Sequence, residues 1–184
     1  MAARSIAVFC GSAHGVDPAH GRVARTLGHE IARRGWTLVY GGGRVGLMGE
    51  LADAALEAGG PVIGVIPRFL YDWEVGHDGL TELEIVATLT ERKVRMVDLA
   101  DAFIALPGGI GTLDELFEVL SWVQLGLARK SCVLVDVDGY YAPLIEWFDR
   151  AVEAGFLKPA HRALLRVATD PVAALDGLRQ DHRR

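Results

Sequence analysis

The chain has 184 residues, 51% hydrophobic and 23% charged, with a formal net charge of −5; this is the length and composition of one globular domain with a substantial core, not of a disordered chain. The acidic balance excludes a surface that binds nucleic-acid polymer by neutralising phosphates, while leaving room for a local site for a small anion. Two distant cysteines, Cys10 and Cys132, suggest neither a disulfide framework nor a zinc site, and no apolar run reaches the length of a membrane span or a signal-peptide core, so a cytoplasmic protein is expected.

In chain order, residues 5–9 read as a first buried strand, followed by the loop Gly11-Ser12-Ala13-His14-Gly15. Asp17-Pro18 is a helix start, with a capping carboxylate and a proline at the first helical position. Val23, Leu27 and Ile31 give that helix an apolar face, and Gly35 stops it. Residues 37–40 form the second strand, and a glycine loop from Gly41 to Gly49 leads into an alanine-rich helix that ends at Gly59-Gly60. Residues 62–66 form the third strand, and residues 68–80 a loop rich in aromatic and acidic side chains, of a length common in lids and binding loops. A short strand at 84–86, a helix at 90–99, a strand at 102–106 and a helix at 112–125 come next. A strand at 132–135, a helix at 141–154 and a largely helical remainder with a short strand near Val167 complete the chain. Strands that are continuous apolar runs, alternating with helices, predict an α/β fold: a single-domain, Rossmann-like parallel sheet over residues 1–184 with helices on both faces. Ligands in such folds bind at the carboxyl ends of the strands, where all three glycine loops fall.

Gly41-x-Gly43-x-x-Gly46 matches the dinucleotide fingerprint. The next strand ends Ile66-Pro67-Arg68, where NAD recognition expects an acidic residue, and Arg68 would instead suit a 2′-phosphate. An NADP-dependent oxidoreductase therefore stays open, beside the plainer reading of a tight strand-to-helix turn. Gly11 and Ser12 offer an amide and a hydroxyl to a phosphate or ribose, or form a simple turn; Cys10, two before Ser12, breaks the hydrolase elbow pattern. The six histidines show no metal-ligand spacing, and Lys93 as a Schiff-base lysine has no other support in the chain. The densest signal is Pro107-Gly108-Gly109-Ile110-Gly111-Thr112, an apolar strand turning into a helix, with Glu115 in the expected first turn. Glycines there let backbone amides approach an anion at a helix N-terminus. Thr112-x-x-Glu115 is also a capping box, which alone explains the glutamate. A cap does not need three glycines, however, and a carboxylate beside a phosphate site makes sense if it works on a neighbouring carbon.

Over Pro107 to Glu115 the chain resembles the Lonely Guy family, whose signature is Pro-Gly-Gly-x-Gly-Thr-x-x-Glu and whose members are cytokinin riboside 5′-monophosphate phosphoribohydrolases. The resemblance extends to Val8-Phe9-Cys10-Gly11-Ser12, to Tyr40 through Gly49, to Gly64-Val65-Ile66-Pro67, to Arg92-Lys93 and to Trp122 through Gly126. The chain departs at Leu89-Thr90, where the family reads Met-His, which bears on base preference, and at Ser131, where Lys-Pro is common. The resemblance implies hydrolysis of the N-glycosidic bond of nucleoside 5′-monophosphates, AMP included, to free base and ribose 5-phosphate. It implies Arg92 and Glu115 as catalytic residues. It implies Gly11, Ser12, Gly43, Gly46, Leu47, Met48, Gly49, Lys93, Gly108, Gly109, Gly111 and Thr112 as substrate contacts. It implies no cofactor or metal, and a homodimer. A non-catalytic nucleotide or cofactor carrier of related fold is the remaining alternative.

Overall fold

The computed structural model describes residues 4–74 and 76–180. Among these, seven strands alternate with eight helices: β1 (Ser5–Phe9), α1 (Pro18–Arg33), β2 (Thr37–Tyr40), α2 (Gly46–Glu57), β3 (Val62–Pro67), α3 (Arg68–Glu74), β4 (Glu82–Val86), α4 (Leu89–Leu99), β5 (Ala102–Ala105), α5 (Ile110–Gln124), β6 (Ser131–Val135), α6 (Ala142–Glu153), α7 (Pro159–Arg162), β7 (Leu165–Ala168) and α8 (Pro171–Gln180). The strands form one parallel sheet in the order β4-β3-β2-β1-β5-β6-β7.

The central strands are apolar throughout because both faces of the sheet are covered. Along β1, Ile6 and Val8 pack with Leu27 and Ile31 of α1, Leu51 of α2 and Leu175 of α8. Ala7 and Phe9 pack with Met96 of α4, Leu116 of α5 and Phe148 of α6. The two-residue period of the strand thus divides the core into two layers. Helix α1 starts as its sequence dictates: the Asp17 carboxylate accepts from the Ala19 amide at 2.8 Å, and Pro18 occupies the first turn.

From β1 the chain winds outward through β2, β3 and β4, then returns to β5 and winds the other way. The order therefore reverses between β1 and β5. Loops leaving the carboxyl ends of those two strands part there, and open sheets of this kind form their ligand crevice at that point.

The expected loop at 68–80 is partly helical. Helix α3 follows β3 directly, and Val75 lies outside the described residues. Pro67 ends the strand because it has no amide for a further ladder bond, and Arg68 to Trp73 contains no helix breaker. The chain then clips back onto the glycine loop after β2. Gly76 bridges to Gly43, and the His77 amide donates to the Gly42 carbonyl at 3.0 Å. The Gly79 amide donates to His77 Nδ1, which leaves Nε2–H to donate to the Asp53 carboxylate on α2 at 2.9 Å.

Candidate active site

Helix α5 begins at Ile110, two residues before the expected start at Thr112. Its N-cap is Gly109, with extended backbone and no side-chain capping bond. Thr112 is therefore already inside the helix, and Thr112-x-x-Glu115 is not a capping box. Glu115 instead lies beyond the first turn and points inward, buried to 9% exposure. The side-chain cap that does form has the same sequence pattern at Thr88-x-x-Glu91, with the glutamate reaching one residue further back than the N-cap. The Thr88 hydroxyl accepts from the Glu91 amide at 3.1 Å, and the Glu91 carboxylate accepts from the Ala87 amide at 2.8 Å. It fixes the first turn of α4, from which Arg92 projects.

Arg92 and Glu115 meet across the cleft floor, with Nη2 3.4 Å from Oε1 and each side chain 11% exposed. Beside them lies the Cys10 thiol. Burial pushes its pKa well up, the Glu115 charge adds to this, and Arg92 opposes it only in part. The thiol is therefore protonated and is no nucleophile at neutral pH.

The glycines of the signature divide into two kinds. Gly108 is needed for packing: a Cβ there would sit 2.0 Å from Thr112 Oγ1 and 2.8 Å from the Gly11 amide. Gly109 and Gly111 are not, because a Cβ on either would meet nothing within 4 Å. They leave open space over the amino terminus of α5, where first-turn amides have no intrahelical acceptor and the helix dipole favours an anion. Two tyrosines from the β6–α6 connection hold this loop from behind. Tyr141 donates its hydroxyl to the Leu106 carbonyl at 2.8 Å, and Tyr140 donates to the Gly108 carbonyl at 2.7 Å.

The cleft has a volume of about 280 Å³. Of the residues named from sequence, Gly11, Ser12, Met48, Arg92, Gly109, Gly111, Thr112 and Glu115 line it. The Gly11 amide is already spent on the Pro107 carbonyl at 3.0 Å. Gly43, Gly46, Leu47, Gly49, Lys93 and Gly108 are not among the lining residues. Leu47 is core, at 2% exposure. Gly46 has φ +63°, and a Cβ there would lie 2.3 Å from the Ser12 carbonyl oxygen, so this glycine lets the loops after β1 and β2 touch. Its place in the dinucleotide-like pattern is thus explained by packing. Lys93 turns away to Asp114, at 3.0 Å, and to Glu118. Burial lowers its pKa, but the hydrogen bonds and charges of Glu118 and Asp114 outweigh this and hold it above its ordinary value. A Schiff-base lysine must shed its proton, so Lys93 does not fit pyridoxal chemistry. Among the described residues no cluster of three or more His, Cys, Asp or Glu could hold a metal.

Cys10, Leu70 and Ile110, not named as site residues from sequence, complete the lining with Leu89, which the sequence marked only as a departure from the family pattern. Ile110 is 89% exposed and Leu89 is 46% exposed. With Leu70 from α3 they give the polar floor an apolar rim. Leu70 and Ile110 carry no reactive group, so only the alternation of elements could have signalled them.

This arrangement can seat an anion on α5 and present a carboxylate and a guanidinium to the atoms beside it. A family model described as "Possible lysine decarboxylase" matches residues 48–178. A cytokinin riboside 5′-monophosphate phosphoribohydrolase from Rhodococcoides fascians is 49% identical over 96% of this chain and 89% of its own length. One from Arabidopsis thaliana is 47% identical over 88% of this chain and 75% of its own. Among solved structures, a molybdenum cofactor carrier protein from Chlamydomonas reinhardtii is similar with a TM-score of 0.74 at 25% identity, over 99% of both chains. By the family model and by relatives of such identity over nearly its whole length, the chain belongs to the Lonely Guy family.

Proposed function

We propose that this protein is a phosphoribohydrolase that cleaves the N-glycosidic bond of nucleoside 5′-monophosphates to free base and ribose 5-phosphate. The observation that carries the reading is Glu115, a buried carboxylate with no capping duty, facing a cleft beside the open amino terminus of α5. A binding protein gains nothing from an anion placed against an anion site. A hydrolase of this kind does, because cleavage passes through an oxocarbenium-like state with positive charge at C1′.

In this reading the 5′-phosphate rests on the amides of Gly109 to Thr112, and Ser12 adds a hydroxyl from the opposite loop. C1′ is thereby brought over Glu115. The C1′–N bond breaks with its electron pair going to the base, Glu115 stabilises the developing cation, and water adds its oxygen to C1′. One proton of that water is released from the new C1′ hydroxyl, and the departing base nitrogen ends protonated. Arg92 holds Glu115 in place and keeps further N–H donors for the base or phosphate. The names of the sequence relatives support a cytokinin-type substrate. The apolar rim of Leu70, Leu89 and Ile110 supports a base that carries an apolar substituent over plain adenine.

The test compares AMP, an N6-isopentenylated AMP and the two matching ribosides. Base is expected from the monophosphates and little or none from the ribosides. Equal turnover of nucleotide and riboside would remove the phosphate anchor, and binding without turnover would favour a carrier.

The protein is further proposed to act as a homodimer in the cytoplasm. An apolar groove of about 420 Å³ between α5 and α6, with Phe117, Trp147 and Phe156, supports a subunit contact, and light scattering at the mass of one chain would contradict it. The two buried cysteines are free, in keeping with a reducing compartment. No helix among the described residues is long and apolar enough to cross a membrane.

A further inference from the structure

Gly41 follows β2 directly and is buried. Its φ lies outside the left-handed region, so the backbone does not demand glycine there. Space does. A Cβ at this position would lie 1.9 Å from Arg92 Nη2, 3.0 Å from Arg92 Cζ and 3.1 Å from Met48 Sδ. The guanidinium of the candidate catalytic arginine rests directly on the bare backbone of another element.

Little else fixes that guanidinium. Its ion pair with Glu115 spans 3.4 Å, and its Nε is buried with no hydrogen-bond partner among the described residues. Hydrogen bonds therefore do not set its height in the cleft; the floor beneath it does. We propose that Gly41 is a positioning residue, the seat that holds the Arg92 guanidinium level with Glu115. The role in catalysis rests on the phosphoribohydrolase reading; the seat itself does not.

The consequence of adding a methyl group is specific. Arginine ends in a flexible arm, so the clash is relieved by moving Arg92, not by deforming the sheet. To reach ordinary van der Waals contact, Nη2 must retreat by roughly 1.5 Å from its present position over Gly41. A displacement of this size in a catalytic group costs about 10²-fold in rate. The α5 amides that seat the phosphate are untouched, so the loss falls on kcat more than on KM.

The experiment is Gly41→Ala in two backgrounds, with a crystal structure of the single variant. In the parent background kcat is expected to fall about 10²-fold, with Arg92 displaced and Glu115 unmoved. In the Arg92→Lys background the same alanine should cost almost nothing, because lysine has no atom at the Nη2 position. An unmoved Arg92, or an equal penalty in both backgrounds, overturns the seat. Should Gly41→Ala fold poorly, Gly41→Ala with Arg92→Ala must recover soluble protein, and failure of that double variant also overturns it. If the parent releases no base, the functional reading falls, and the crystal structure still decides whether Gly41 seats the arginine.

Discussion

Replacing Glu115 by glutamine separates catalysis from architecture. The change removes one negative charge and keeps the shape of the side chain. At the 3.4 Å separation from Arg92, two unit charges attract by about 5 kcal/mol at an effective dielectric constant of about 20. Desolvation of both groups cancels most of this. The glutamine carbonyl also remains an acceptor for the guanidinium. The net cost is that of trading an ion-pair contact for a neutral polar one, about 1–2 kcal/mol. No cap is lost, because α5 is capped by Gly109 and not by Thr112 with Glu115. In a chain of this length the melting temperature should drop by about 2–8 °C. Base release should fall far more. Loss of a general base alone costs about 10²–10⁴-fold, and loss of charge stabilisation about 10²–10³-fold. The assay follows free base by chromatography, with melting temperature and AMP affinity measured on the same preparation. Release within a few-fold of the parent would refute the reasoning, as would a variant that no longer folds.

Gly111→Ala fills space that the protein leaves open. It should stabilise α5 by about 0.5–1 kcal/mol in urea titration, as alanine does in helices, while raising KM for the monophosphate; unchanged KM would show that nothing binds over that turn. Tyr141→Phe leaves the buried Leu106 carbonyl without its hydroxyl donor. It should cost about 1–3 kcal/mol, against about 0.5–1 kcal/mol for Tyr140→Phe at the more exposed Gly108 carbonyl. Glu84 on edge strand β4 receives two hydrogen bonds from Arg95 of α4, at 2.6 and 2.8 Å, and these hold its carboxyl below the ordinary value against the opposing effect of burial. A lowered folded pKa means that the pair stabilises above the unfolded carboxylate range and is lost as pH falls through the folded value. Glu84→Gln should therefore cost about 0.5–1 kcal/mol at neutral pH and nothing in strong acid, and a pH-independent difference would contradict the assignment.

The fold was largely legible because a parallel sheet covered on both faces writes its strands as apolar runs, as in Ala102 to Ala105. Helix α1 was equally plain from Asp17-Pro18. Helix α3 was not, because its aromatic and acidic residues, such as Tyr71, Asp72 and Trp73, read as a loop. At the candidate site, the signature marked the strand-to-helix turn but concealed where the helix starts. Two copies of one pattern, Thr88-x-x-Glu91 and Thr112-x-x-Glu115, look alike in sequence. Only the first has its threonine in extended backbone at a helix boundary; the second is displaced into the helix because Gly109 takes the cap. Lys93 was drawn toward the substrate by its neighbour Arg92, yet one step along a helix turns a side chain by about 100°, and it faces Asp114 and Glu118 instead. Of the apolar rim only Leu89 showed in the sequence, as a departure from the family pattern; Leu70 and Ile110 carry no motif.

The proposed reaction is hydrolysis at C1′ of a nucleoside 5′-monophosphate. The most direct test incubates the purified protein with N6-isopentenylated AMP in phosphate-free buffer and quantifies both products over time. Free base and ribose 5-phosphate are expected to appear together in equal amounts, with no requirement for added metal or cofactor. Base released without ribose 5-phosphate, phosphate released with the glycosidic bond intact, or no product at all would contradict the proposed reaction.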